Sequence, residues 1–181
     1  MNRIMIVDDE PNILSSLTRV LRRRDDWEVE TFDTVAEALK RIQTMPFEIV
    51  ISDYRMPEMD GVEFLNEVRK FQPEAIRIVL SGITELQAIL DAINEAEIHR
   101  YICKPWDDQD LIATIGTALA HREVLVENRR LADRVREQQE ELNKRKSALD
   151  RLAEEHPALV HVDWADDGSI VVNEEPPAID E

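Results

Sequence analysis

The chain has 181 residues, with 39 Asp and Glu against 22 Lys and Arg, for a formal charge of −17. That length holds one ordinary domain plus an appendage and can bury a sizeable core. The charge disfavours non-specific binding to nucleic acid or anionic lipid, and no apolar run approaches the roughly 20 residues of a bilayer span.

In chain order, residues 3–7 read as a buried strand, and Asp8 and Asp9 follow it at once. The N-terminus runs straight into this strand without a signal-peptide pattern. Pro11 suits the first turn of a helix, expected over 11–23, because its missing N–H would be unpaired there anyway. Thr34 and Glu37 have capping-box spacing at the start of a helix over 35–43. Further strand-like runs at 47–51, 77–80 and 100–103 are followed by Asp53, Ser81 and Lys104-Pro105. Helical periodicity fills 62–71 and 85–94, and a last helix starts at Asp107. Cys103, the only cysteine, reads as a small core residue of its strand. A chain without disulfides suits a reducing cytoplasm, the expected location.

Beyond Asp107 the pattern changes. Helix breakers vanish until Pro157 apart from Gly116, which predicts one helix of about 47 residues, roughly 70 Å long. From residue 121 a heptad can be written with His121, Asn128, Val135, Leu142 and Leu149 at a, and Val124, Leu131, Gln138, Arg145 and Leu152 at d. Six of these ten positions are apolar, which points to a coiled coil. Asn128 at a suits a parallel two-stranded register, and Glu141 at g can pair with Lys146 at e of the other helix. The competing reading is a polar single helix held by i,i+4 pairs such as Glu140–Lys144. The last 28 residues carry nine carboxylates and no Lys or Arg. Within them, 159–164 and 169–172 are strand-like around Asp167-Gly168, which suggests a small hairpin. The end beyond Pro176-Pro177 has a disordered composition. The expected organisation is 1–121 as one domain, 122–153 as a helix continuous with its last helix, and 154–181 as an acidic tail.

The alternation of strand-like runs with five helices predicts an α/β fold, a doubly wound five-stranded parallel sheet with helices on both faces. In such a sheet, side chains just past the carboxyl ends of the strands converge on one crevice. Asp8, Asp9, Asp53, Ser81 and Lys104 are therefore expected in one pocket. Singly, each has an ordinary explanation: a helix cap for Asp8 or Asp9, a turn at Ser81-Gly82, a solvated lysine. Together they suit Mg²⁺-assisted transfer of a phosphoryl group. Clustered carboxylates are costly without a cation, and Mg²⁺ prefers oxygen ligands and keeps several waters. Asp53 is the natural nucleophile, able to form an acyl phosphate. Ser81 can donate to one phosphoryl oxygen, and Lys104 can balance another as a mobile charge.

The segments Asp8-Asp9-Glu10-Pro11, Ser52 to Gly61 (SDYRMPEMDG), Ser81-Gly82 and Tyr101-Ile102-Cys103-Lys104-Pro105 resemble the receiver domain of bacterial two-component response regulators, a flavodoxin-like (CheY-like) fold. The resemblance covers about residues 1–121. It implies that Asp53 accepts phosphate from a histidine kinase, with Mg²⁺ held by Asp9, Asp53 and the backbone carbonyl of Arg55 and by Asp8 through water. It also implies Ser81 and Lys104 against the phosphoryl group, a cis Lys104–Pro105 peptide, and Tyr101 as a switch aromatic that turns inward when Ser81 moves. Side chains at Arg55 and Ile83 would flank the path of attacking water.

The expected function is a phosphorylated signalling switch, not an enzyme beyond its own phosphorylation and dephosphorylation. Its partners would be a cognate histidine kinase, a second copy bound through residues 122–153, and a downstream effector. The alternative is a phosphate sink or adaptor acting on a separate effector. A phosphatase of the haloacid dehalogenase type needs a second acid two residues after the nucleophile, and that position is Arg55. A basic zipper needs a basic helical stretch, and 122–153 mixes Glu with Arg and Lys. No DNA-binding module fits in residues 122–181.

Overall fold

The computed structural model describes residues 1–82 and 98–155 and, in the tail, 163–164 and 170–171. The helix expected at 85–94, Ile83, and the turn and end of the tail lie outside the described residues. The chain divides into two compact units, Met1–Asn128 and Arg129–Glu181.

The first unit is built on five strands, β1 (Asn2–Val7), β2 (Trp27–Phe32), β3 (Ile49–Asp53), β4 (Ile76–Gly82) and β5 (Arg100–Lys104). All pairings are parallel, in the order β2-β1-β3-β4-β5. The described helices are α1 (Pro11–Leu21), α2 (Val35–Thr44), α3 (Gly61–Phe71) and α4 (Asp108–Glu155). The chain steps outward from β1 to β2 and returns to β3 on the other side of β1. This order puts the topological switch point at the carboxyl ends of β1 and β3, where open α/β sheets bind their ligands.

Each central strand is apolar on both faces because both faces are covered. Ile4, Ile6, Ile49, Ile51, Ile78 and Leu80 pack on one side against Leu17 and Leu21 of α1 and Leu111 and Ile115 of α4. Met5, Val7, Val50 and Val79 pack on the other against Val35, Ala38 and Ile42 of α2 and Phe64, Leu65 and Val68 of α3. The alternation along each strand assigns one set of side chains to each layer. Trp106 packs against the first layer and anchors the start of α4.

Several boundaries differ from the sequence expectation. β3 starts two residues later and runs through Asp53, and β4 runs through Ser81 to Gly82. The reason is the ladder itself: Asp53 pairs with Leu80, Ser81 with Cys103 and Gly82 with Lys104, so pairing continues past the last apolar residue. Phe47 is buried but precedes β3, its N–H donating to Gln72 Oε1 at 2.8 Å. α1 ends at Leu21 rather than at residue 23. Thr34 does occupy the N-cap of α2, but its side chain makes no capping hydrogen bond. Cys103 is half-buried rather than a full core residue.

In the second unit, residues 129–155 are the later part of α4. Pairs of side chains one turn apart support it, Arg136 with Asp133 at 3.2 Å and Arg145 with Glu141 at 2.5 Å. The tail holds a short antiparallel pair, β6 (Asp163–Trp164) with β7 (Ile170–Val171), inside the two segments expected to form a hairpin.

Candidate functional site

The site lies at the carboxyl edge, where β1, β3, β4 and β5 end. Asp8 directly follows β1 and is fully buried; Asp53 closes β3 and is 7% exposed. Lys104 closes β5, and its Nζ donates to Asp8 Oδ2 at 2.9 Å and Asp53 Oδ1 at 2.5 Å. One ammonium therefore bridges two carboxylates from neighbouring strands. The remaining carboxylate oxygens accept from the backbone: Asp8 Oδ1 from the Glu10 N–H and Asp53 Oδ2 from the Arg55 N–H, each at 2.8 Å. Both acids are held by the turns that follow their own strands.

Charge balance in this cluster is uneven. Burial pushes the Asp8 carboxyl above its ordinary range, opposed by the Lys104 hydrogen bond, the Glu10 N–H and the Lys104 charge, and reinforced by the charge of Asp53. Burial also lowers the Lys104 ammonium, but the hydrogen bonds and charges of Asp53 and Asp8 outweigh it and hold Lys104 above its ordinary value. Lys104 stays charged at neutral pH and keeps the two acids together.

Ser81 is fully buried, and among the described residues its Oγ has no hydrogen-bond partner. A buried hydroxyl without a partner is expensive, so the position calls for an explanation beyond packing. Asp9 is exposed beside Asp8. Tyr101 pairs with Val79 in the ladder and its residue is 42% exposed, more open than a half-buried strand aromatic. The Lys104–Pro105 peptide is cis, as the resemblance implies.

The loop after Asp53 is pinned in place. The Tyr54 N–H donates to Leu80 O at 2.8 Å, and the Gly61 N–H returns to Tyr54 O at 2.9 Å. A Cβ on Gly61 would stand 2.0 Å from the Asp53 carbonyl oxygen, so only glycine permits this return. Ser52 Oγ donates to the same carbonyl at 2.9 Å, and Asp60 caps α3 through the Glu63 N–H at 2.8 Å. Neither Gly61 nor Ser52 had a role assigned from sequence. The signal for Gly61 was available: a lone glycine after an N-cap aspartate, at the first position of a helix.

Among the described residues, no three carboxylate, imidazole or thiol groups form a ready-made metal cage. The donor set nevertheless fits Mg²⁺, which dehydrates reluctantly and takes one or two carboxylates together with waters and substrate oxygens. Asp53 and the exposed Asp9 would supply those carboxylates, with buried Asp8 acting through water.

The comparisons with known proteins point to one family. The model of the response regulator receiver domain matches residues 4–116. The hydrogenase transcriptional regulatory protein HoxA of Cupriavidus necator is 40% identical over 116 residues, which are 64% of this chain and 24% of that protein. This chain spans about a quarter of the length of the first curated relatives it matches. Among solved structures, the adenylate cyclase from Rhodopirellula baltica superposes with a TM-score of 0.68 at 31% identity, covering 74% of this chain and 98% of that one. The signal receiver domain of an HD domain-containing protein from Pseudomonas fluorescens does so with a TM-score of 0.64 at 34% identity, covering 68% and 98%. A parallel sheet in the order 2-1-3-4-5, a lysine bridging two acids at its carboxyl edge and a family match over more than half its length place this chain in the response regulator receiver family.

Proposed function

We propose that the chain is a phosphorylation-controlled switch in which Asp53 accepts a phosphoryl group from a histidine kinase and α4 carries the response. The Lys104 bridge between Asp8 and Asp53, beside a Ser81 hydroxyl that has no partner among the described residues, is the observation that carries this reading. Asp53 attacks phosphorus, the bond from phosphorus to the histidine nitrogen breaks, and an acyl phosphate forms. Its second oxygen stays on the Arg55 N–H, which holds the attacking one in place. Lys104 needs only a small side-chain movement to follow the charge from the Asp53 carboxylate to the phosphoryl oxygens. Ser81 moves its hydroxyl toward the same group and thereby acquires a partner. Asp9, Asp53 and the Arg55 carbonyl, with Asp8 through water, are the groups that would hold Mg²⁺. When bound, Mg²⁺ offsets negative charge gathered on the transferring phosphoryl group.

Displacement of Ser81 frees space on the β4–β5 face, and Tyr101, now exposed, turns into it. The β5–α4 connection passes this change to the helix. Residues 1–121 act as the receiver, 122–153 as a parallel coiled coil that pairs two copies, and 154–181 as an acidic tail available to an effector. All six apolar positions of the heptad are exposed in a single chain: Val124, Leu131, Val135, Leu142, Leu149 and Leu152. Covering such a stripe removes apolar surface from water, which favours pairing.

Labelling with a small phosphodonor in the presence of Mg²⁺ tests the site. Asp53→Asn is expected to abolish incorporation, and persistent labelling of that variant would overturn the assignment. Absolute mass by light scattering, with and without beryllofluoride, tests the output. A rise from monomer to dimer makes assembly the response, and a dimer in both states makes helix geometry the response. A monomer in both states removes the pairing from the proposal.

A further inference from the structure

Asp53 is held through its backbone as well as through its carboxylate. Two consecutive peptide groups follow it, and each is fixed at both ends. In the first, the Tyr54 N–H donates to Leu80 O at 2.8 Å, and the Asp53 carbonyl accepts from Ser52 Oγ at 2.9 Å. In the second, the Arg55 N–H donates to Asp53 Oδ2 at 2.8 Å, and the Tyr54 carbonyl accepts from the Gly61 N–H at 2.9 Å. A peptide group is planar, so holding its oxygen and its N–H fixes the direction of both. Of these four contacts, two are backbone to backbone and one is made by the Asp53 carboxylate itself. The fourth is the Ser52 hydroxyl.

Packing gives that hydroxyl no reason to be there. Ser52 is fully buried, its ladder partners are Val7 and Val79, and Ile49, Val50 and Ile51 precede it in β3. An apolar residue in such surroundings would carry no desolvation cost. The hydroxyl has one proton to give. Its other neighbour, Met56 Sδ at 3.9 Å, is a weak acceptor, so the Asp53 carbonyl takes the bond. The missing side chain at Gly61 makes room for both partners, since a Cβ there would stand 2.0 Å from the carbonyl oxygen and 3.1 Å from Ser52 Oγ.

Resting on the phosphoacceptor reading above, we propose that Ser52 is a positioning residue for phosphoryl transfer: its hydroxyl sets the peptide after Asp53 so that the Arg55 N–H holds Oδ2 and leaves Oδ1 to attack. Ser52 touches neither the phosphoryl group nor a metal and acts only through the Asp53 backbone. Without the hydroxyl, the first peptide group keeps only its N–H contact and is free to tilt. The Arg55 N–H then leaves the carboxylate, and the attacking oxygen spends less time in line with the incoming phosphorus.

Ser52→Ala, Ser52→Cys and Ser52→Thr separate the hydroxyl from its volume. Cys fills nearly the same space with a weak donor, whereas Thr keeps the hydroxyl and adds a methyl group. With acetyl phosphate and Mg²⁺, the Ala and Cys chains should label about tenfold more slowly than the parent, the size of one lost hydrogen bond. The Thr chain should label faster than either. Amide hydrogen exchange, read without phosphodonor or metal, should show the Arg55 N–H about tenfold less protected in the Ala and Cys chains and unchanged in the Thr chain. A Cys chain that labels at the parental rate would overturn the proposal, because volume alone would then suffice. So would a Thr chain of parental urea midpoint that labels no faster than the Ala chain. Slowed labelling with an unchanged Arg55 amide would overturn it too. Labelling that persists in Asp53→Asn would sink the phosphoacceptor reading and this role with it, an outcome that no Ser52 variant can produce.

Discussion

Two stretches of one helix follow opposite rules. In residues 108–119 of α4 the apolar side chains Leu111, Ile115, Ala118 and Leu119 are buried against the sheet. In residues 124–152 the apolar side chains Val124, Leu131, Val135, Leu142, Leu149 and Leu152 are all exposed. The first stretch is stabilised by the chain's own fold. The second has little beyond turn-to-turn ion pairs, worth a few tenths of a kcal/mol each, unless something covers its stripe. The contrast separates the stretch held by the chain's own fold from the stretch whose apolar side chains are open to solvent.

The largest effect is expected from breaking the first stretch. Ile115→Ala deletes a fully buried side chain beneath the sheet and should cost about 2–5 kcal/mol, read as a lower urea midpoint. Replacing Leu131 and Leu142 together with Glu should leave that midpoint unchanged at low protein concentration. It should abolish any dimer in light scattering, because two apolar layers of the seam become like-charged. If the double variant instead destabilises the receiver, the contrast between the two stretches is wrong. Arg145→Leu sharpens it from the other side. In a parallel pair the two Arg145 side chains at d face each other, so their replacement should tighten the dimer while the monomer loses only its Glu141 contact.

Much of this division was legible in the sequence, and the parts that were not have physical causes. The alternation of strands and helices, the convergence of Asp8, Asp53 and Lys104, and the unbroken helix from residue 108 to 155 all follow from local pattern. Strand ends do not, because hydrogen-bond pairing carries polar residues such as Asp53 and Ser81 into the ladder after the apolar signal stops. Arg77 is similarly hidden: it reads as the edge of a strand, yet it is buried and donates to the Pro73 and Ala75 carbonyls at 3.3 and 2.9 Å. The capping spacing at Thr34 marks the right residue without predicting its missing bond. A groove at the sheet's amino edge depends on residues far apart in the chain, Asn2 and Trp27 against Gly116 and Ala120. No local window contains it.

A smaller effect is expected at the site. The Asp8 carboxyl is raised above its unfolded value by burial, so its contribution to stability is fully present below about pH 3.9 and is lost as pH rises through the folded pKa. Above the folded pKa the ionised Asp8 is therefore a cost to stability. Asp8→Asn should raise the thermal midpoint at pH 7 in the presence of a chelator, with the difference shrinking in acid. The same variant should label more weakly with a phosphodonor. A lower midpoint at pH 7 would mean that Lys104 depends on Asp8 more than the burial cost suggests.

The smallest effect separates two ion pairs, one on the flank of the sheet and one on the later stretch of α4. Arg41 grips Glu30 through two hydrogen bonds of 2.8 and 2.9 Å on a partly buried flank of β2. Arg145 and Glu141 make a single contact on an exposed helix surface. The Arg41 hydrogen bond holds the Glu30 carboxyl below its ordinary range, against burial and helped by the Arg41 and Arg3 charges. A lowered carboxylate stabilises the fold above its unfolded value of about 4.3, and that stability is lost as pH falls through the folded pKa. Arg41→Met should therefore lower the thermal midpoint slightly at pH 7, and the loss should vanish in acid. Arg145→Ala in a monomeric background should leave the receiver's midpoint unmoved at either pH, because its pair closes only one turn of a helix the receiver does not need. Equal shifts from both substitutions would mean that the later stretch of α4 unfolds together with the sheet, and that the helix is one cooperative element rather than two.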